Sequence, residues 1–309
     1  MKKKIGIIGA GAWGTAIAIL AHKNGHNVSL WHYDYQKALL MKETRDCPYL
    51  LNIKINDNII ITDKLNDILD SDILIYAAPA QEFNSLTMKI SESNSAFNNP
   101  VVIASKGIDN KINKLLDSIC KHNLPNSNPV ILSGPGFAED IVKELPTALT
   151  IAAHDLKLAN MVGNIFANEY FRPYFSTDLI GVQIGGALKN IIAIASGIAI
   201  GNNLGDGAVA SIITRGLSEM TKFGIELGAK HETFNGLSGI GDLVLTATNR
   251  KSRNTKLGIL IGSSKSIADY SLLSEGVHTT NAVIHISKSL NIGMPITEAV
   301  YQIINNKYT

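Results

Sequence analysis

At 309 residues the chain is long enough for two domains, because single hydrophobic cores stop growing at about 250–300 residues. It is 45% hydrophobic and 17% charged, with 28 basic against 26 acidic side chains; no basic block stands out beyond Lys2–Lys4 and Arg250–Arg253, which argues against nucleic acid as a partner. Two cysteines, Cys47 and Cys120, make neither a disulfide framework nor a metal-ligand spacing and point to a reducing, cytoplasmic location.

The first half alternates short apolar runs with helical stretches. Strands are predicted at Lys4–Gly9, Asn27–His32, Asn58–Thr62, Asp72–Ala78, Pro100–Ser105 and Pro129–Gly134, each nearly continuously apolar, as strands buried on both faces of a parallel sheet are. Thr147–Ala153 and Phe171–Ser176 add one or two more, with an antiparallel placement open to them. The Asn- and Ser-rich patch Ser91–Asn99 reads as a surface loop. Beyond Asp178 only helical patterns remain: Ile180–Gly201, Asp206–Leu227, a stretch around Arg253–Leu260, Glu275–Leu290, and Met294–Asn306 with Thr297 as a cap candidate. The expected architecture is α/β: a Rossmann-like, doubly wound, mostly parallel sheet over residues 1–178, then an all-α domain over 179–309, with the active cleft between them.

The opening "MKKKIGIIGAGAWGTAIAIL" has the basic start and apolar run of a signal peptide, but Gly9, Gly11, Trp13 and Gly14 interrupt it at a telling spacing. Gly9-Ala10-Gly11-Ala12-Trp13-Gly14 is GxGxxG, directly after a strand and at the start of a helix. Gly9 allows the tight turn, Gly11 lets the backbone approach a pyrophosphate, and Gly14 lets helix pack on strand. Amide groups at the helix start suit the anion. The second strand ends in Trp31-His32-Tyr33-Asp34, with no acid at the strand end for a ribose 2′-hydroxyl and no Arg for a 2′-phosphate; Asp34 is a late candidate. The cofactor is NAD or NADP, with the preference open.

The stretch Gly185–Gly201, "GGALKNIIAIASGIAIG", is apolar enough for a buried helix yet places Lys189 beside Asn190. A bilayer span is disfavoured, because a central lysine costs about 2.5–3.5 kcal/mol on insertion scales. A helical side chain leans toward the helix N-terminus, so Lys189 lies over Gly185 and Gly186, which are expected to leave open space for a substrate. Poor solvation lowers a lysine pKa toward working pH, where it serves as acid and base. The competing reading is a lysine that snorkels from a helix seam to water.

Together with "GAGAWGTA" (Gly9–Ala16), the motifs "ASKGI" (Ala104–Ile108), "SGPGFA" (Ser133–Ala138), "GVQIGGALKNIIAIASG" (Gly181–Gly197), "ITRGLSEM" (Ile213–Met220), "GLSGIGDLVLTAT" (Gly236–Thr248), "SRN" (Ser252–Asn254), "SEGV" (Ser274–Val277) and "MPITEAVYQI" (Met294–Ile303) resemble the bacterial-type NAD(P)-dependent glycerol-3-phosphate dehydrogenases through nearly the whole chain. The resemblance implies interconversion of dihydroxyacetone phosphate and sn-glycerol 3-phosphate, chiefly for phospholipid synthesis, with Lys189 as the acid/base. It implies substrate contacts at Lys106, Gly134, Gly136, Lys189, Asp242, Thr246, Ser252, Arg253 and Asn254. It implies cofactor contacts at Gly9, Gly11, Ala12, Trp13, Gly14, Tyr33, Lys106, Ala138, Arg253, Leu273 and Glu275. The family commonly carries Ser or Thr where Gly136 stands, so only backbone serves there. Lys106 follows a strand end, where ligands bind in open α/β sheets. Asp242 is placed to pair with Lys189 or a substrate hydroxyl, with Thr246 one turn later on the same face. Arg253 offers a planar fork for a phosphate. Glu139 and Asp140 read as first-turn charges favoured by the helix dipole.

No histidine has ligand spacing with Cys or a carboxylate, so no metal is assigned. A helical domain this apolar often pairs, which makes a homodimer an expectation. Two rival readings remain: a dehydrogenase of 3-hydroxy acids or ketopantoate, and a non-catalytic dinucleotide sensor. The Ser252–Asn254 and Gly239–Leu243 motifs argue against the first, and Lys189 with Arg253 against the second.

Overall fold

The computed structural model describes residues 2–264 and 274–305. The chain divides into two compact units, one made of Met1–Ser105, Leu116–Leu132 and Gly136–Leu179, the other of Lys106–Leu115, Ser133–Pro135 and Ile180–Thr309. A single cut after residue 178 misses this detail. Two short loops from the sheet half, one carrying Lys106 and the other Gly134, belong with the helices.

In the first unit the chain runs β1 (Lys4–Ile8), α1 (Ala12–Lys23), β2 (Asn27–Trp31), α2 (Tyr35–Thr44), β3 (Asp46–Cys47), β4 (Leu50–Lys54), β5 (Ile60–Thr62), β6 (Ile73–Tyr76), α3 (Phe83–Ser93), β7 (Val101–Ile103), α4 (Leu116–Asn123), β8 (Pro129–Ser133), α5 (Ala138–Val142), β9 (Thr147–Ala152), α6 (Leu156–Phe166) and β10 (Phe171–Ser176). Eight strands form one sheet in the order β10-β9-β8-β7-β6-β1-β2-β5. The β1–β2, β2–β5, β1–β6, β6–β7, β7–β8 and β9–β10 pairs are all parallel. The apolar runs explain this order. Every residue of β6, β7 and β8 is buried, which suits strands covered by helices on both faces. The chain leaves β1 toward β2 and β5, then returns to β6 on its other side, so the sheet reverses direction beside β1. That is the switch point at which such sheets bind ligands. The strand Phe171–Ser176, for which an antiparallel placement was open, pairs parallel with β9 because α6 returns the chain across the sheet. The hairpin of β3 and β4 is an addition to the predicted elements.

The second unit contains α7 (Leu179–Gly201), α8 (Asp206–Glu226), α9 (His231–Phe234), α10 (Asp242–Thr248), α11 (Arg253–Gly262), α12 (Glu275–Ser289) and α13 (Pro295–Ile304). α7 is long and apolar enough to cross a membrane by length and composition, but 78% of its most apolar window is buried inside the protein. Ile184, Leu188, Ile191 and Ile194 on it pack with Met220, Phe223 and Phe234 in the unit's core. An all-round apolar helix is what a bundle needs at its centre.

The expected Thr297 cap is not what starts α13. Pro295 occupies its first turn, and the Met294 cap position makes no side-chain bond. Instead the buried carboxylate of Glu219, on α8, accepts from the backbone N–H groups of Ile296 (2.6 Å) and Thr297 (3.3 Å) and from the Thr297 hydroxyl (3.3 Å). A partner far away in sequence meets these terminal donors, so a local cap rule misses it.

Candidate active site

The turn after β1 has the geometry its glycines imply. Gly9 has φ +104°, and a Cβ there would lie 2.8 Å from the Ala78 backbone nitrogen. A Cβ on Gly14 would overlap the Gly9 carbonyl oxygen, whereas one on Gly11 would meet nothing within 4 Å. Helix and strand are therefore locked together, and the face at Gly11, which is the N-cap of α1, is open. This turn fits a pyrophosphate. Ala12 and Trp13 pack against the sheet core. Gly136 lies close by, with a Cβ position 3.7 Å from the Trp13 ring and 3.3 Å from Leu149. Ala138 is the first residue of α5, with Glu139 and Asp140 in its first turn.

At the end of β2, Tyr33 is 75% exposed and its ring stacks on His32 with centroids 5.0 Å apart. Asp34 does not stand free for a ribose. Its carboxylate accepts from the Lys37 N–H at 3.1 Å and caps α2.

The second unit brings Lys106, Lys189, Asp242 and Thr246 together. Asp242, 1% exposed, begins α10 and holds both lysines. One carboxylate oxygen accepts from the Lys106 ammonium at 2.7 Å and the other from that of Lys189. Lys106 also donates to the Gly134 carbonyl at 2.8 Å, and Lys189 to the Thr246 hydroxyl at 2.8 Å. Lys189 is the more deeply buried lysine. Burial pulls its pKa down to about 7; the charge of Asp242 opposes the shift and that of Lys106 adds to it. Lys189 is thus a buried, paired lysine, not a snorkelling one.

One expectation about this cluster is overturned. Gly185 and Gly186 do not leave open space. A Cβ at Gly185 would overlap the Ser238 carbonyl oxygen; at Gly186 it would sit 2.6 Å from the Ser133 hydroxyl and 3.3 Å from Cγ of Lys106. Protein fills both positions, so these glycines let the backbone around Ser238 and the Lys106 stem close on α7.

A second polar layer adjoins the first. The Asn190 amide donates to the Lys106 carbonyl at 3.3 Å and accepts from Asn254 at 2.9 Å. The Asn254 side-chain oxygen in turn accepts from the Ser274 hydroxyl and, at 3.1 Å, from the Gly276 N–H. Asn254 is therefore buried in protein contacts. Ser252 caps α11 by accepting from the Thr255 N–H at 3.2 Å. Arg253 follows on the first turn, exposed and with no ion pair to the described residues. Glu275 opens α12. Leu273 lies outside the described residues. The Lys106–Asp242 pair and the Asn190–Asn254 link had no sequence signal, because each joins segments more than 60 residues apart.

Comparison with known proteins covers both units. The family model for the N-terminus of NAD-dependent glycerol-3-phosphate dehydrogenase matches residues 4–159, and that for its C-terminus matches residues 178–309. A glycerol-3-phosphate dehydrogenase [NAD(P)+] of Bradyrhizobium diazoefficiens is 40% identical over 305 residues, covering 99% of this chain and 93% of its own. One from Fusobacterium nucleatum is 39% identical, covering 97% and 92%. The crystal structure of the Coxiella burnetii glycerol-3-phosphate dehydrogenase superposes with a TM-score of 0.95 at 31% identity, covering 99% of this chain and 96% of that one. The chain belongs to the NAD-dependent glycerol-3-phosphate dehydrogenase family.

Proposed function

We propose that the chain interconverts dihydroxyacetone phosphate and sn-glycerol 3-phosphate with NAD or NADP, and that Lys189 moves the proton. When bound, the nicotinamide supplies hydride to carbon 2 of the ketone, or takes it back in reverse. Lys189 gives its proton to the carbonyl oxygen as the alcohol forms, and recovers it when the alcohol is oxidised. Asp242 keeps the ammonium aimed and offsets the penalty of burying it. Thr246 fixes its direction. Lys106 adds a second positive charge facing the oxygen that becomes negative, an electrostatic contribution that is strongest where water is excluded. Arg253, exposed on the first turn of α11, is assigned the phosphate, while Ser252 and Asn254 hold that helix start in place through their own protein bonds. Gly9, Gly11 and Gly14 would hold the cofactor pyrophosphate, with Ala12, Trp13, Tyr33 and Ala138 around the cofactor.

The observation that carries this reading is one buried amine, held by a carboxylate and a hydroxyl, with its pKa brought to about 7. An acid/base is most effective with its pKa near working pH. The test follows absorbance at 340 nm with NADH and NADPH in turn. Oxidation on adding dihydroxyacetone phosphate supports the enzyme, and cofactor binding without turnover supports a sensor instead. We further propose a cytoplasmic location, which two free, buried cysteines suit, and a role in supplying phospholipid synthesis, which rests on the family resemblance alone. A homodimer through the helical half is the proposed assembly, which light scattering tests.

A further inference from the structure

Ser133 ends β8, a strand otherwise made of four buried apolar residues. The residue is 2% exposed, and among the described residues its hydroxyl has no hydrogen-bond partner. A buried hydroxyl left unpaired is costly to the fold, and alanine at the same place avoids that cost. The hydroxyl lies where Gly186 lacks a side chain: the Cβ position of Gly186 is 2.6 Å from it and 3.3 and 3.6 Å from Cγ and Cδ of Lys106. The next residue, Gly134, supplies the carbonyl that accepts from the Lys106 ammonium. Ser133 thus sits beside the Lys106 stem, at the carboxyl end of a parallel strand, against the helix turn that leads to Lys189.

We propose that Ser133 is a further substrate-binding residue, whose hydroxyl bonds an oxygen of the bound triose phosphate as the Lys106 stem moves off it. The proposal rests on the reading of this site as the dihydroxyacetone phosphate site. In the free protein the Lys106 ammonium donates to Asp242 and to Gly134. When the ammonium turns toward a substrate oxygen its stem shifts, and that movement uncovers the hydroxyl. The unmet bond in the free protein is then met in the complex, so it contributes to affinity and not to folding.

The test uses Ser133→Ala and Ser133→Thr in the full chain, with three readouts: the melting temperature of the free protein, the cofactor dissociation constant, and KM for dihydroxyacetone phosphate. For Ser133→Ala the expected result is an unchanged or higher melting temperature, unchanged cofactor binding and a KM raised about tenfold, with Ser133→Thr recovering most of the loss. An unchanged KM overturns the proposal. So does a raised KM with a lowered melting temperature, because the hydroxyl would then be making a structural bond. If the wild-type protein binds cofactor but does not turn over dihydroxyacetone phosphate, it is the reading of the site that fails.

Discussion

Lys189 has two pH-dependent consequences with opposite experimental handles. Its ordinary pKa of 10.5 falls to about 7 in the fold through burial. Between about pH 7 and 10.5 the unfolded chain therefore holds a proton that the folded chain has shed, so this site favours folding more as pH rises through that window. Below pH 7 the cost of burying the ammonium is present in full. Lys189→Met removes the dependence: urea titrations from pH 6 to 10 should show wild-type stability rising relative to the variant. In turnover, ketone reduction needs the ammonium and alcohol oxidation the free amine. Initial rates should thus fall through pH 7 in the first direction and rise through it in the second. Asp242→Asn removes the charge that holds the Lys189 pKa up. Its reduction rate at pH 7.5 should drop about 10- to 100-fold, within the range of general acid–base effects; a wild-type rate would remove Asp242 from the mechanism.

One helix contact sets how the site is built. A Cβ on Gly258 of α11 would overlap the Ile194 carbonyl of α7 and lie 2.8 Å from Gly197 Cα, so the two backbones touch. α7 carries Lys189, and α11 begins with Arg253. Gly258→Ala should push them apart, lowering stability by about 1–3 kcal/mol and raising KM for the triose phosphate. Denaturation and steady-state kinetics check both. The Glu219 bridge to α13 makes a contrasting case. Glu219→Ala should cost about 1–3 kcal/mol by stranding the Ile296 and Thr297 amides, while leaving both KM values alone. A changed KM there would mean that α13 helps shape the site.

Across the molecule, what could be read from sequence was whatever is governed by local pattern. The buried strands announced themselves as apolar runs, and the turn after β1 by glycines whose spacing is set by one backbone conformation. α7 was legible by length and composition, and Asp242 with Thr246 by one helical turn. Contacts distant in sequence were not legible. Glu219 reaches across 77 residues to Ile296, and nothing near Thr297 signals it. Gly185 and Gly186 looked like vacant space because a missing side chain does not say what replaces it; the Ser238 backbone and Lys106 stem do. The β3–β4 hairpin escaped because β3 is only two residues long.

The most direct test is turnover by Lys189→Ala, followed at 340 nm, beside cofactor binding followed by fluorescence titration. Loss of activity by at least about 100-fold with unchanged cofactor affinity is the predicted result. Near-normal reduction of dihydroxyacetone phosphate by that variant would contradict the central claim that this amine carries the proton.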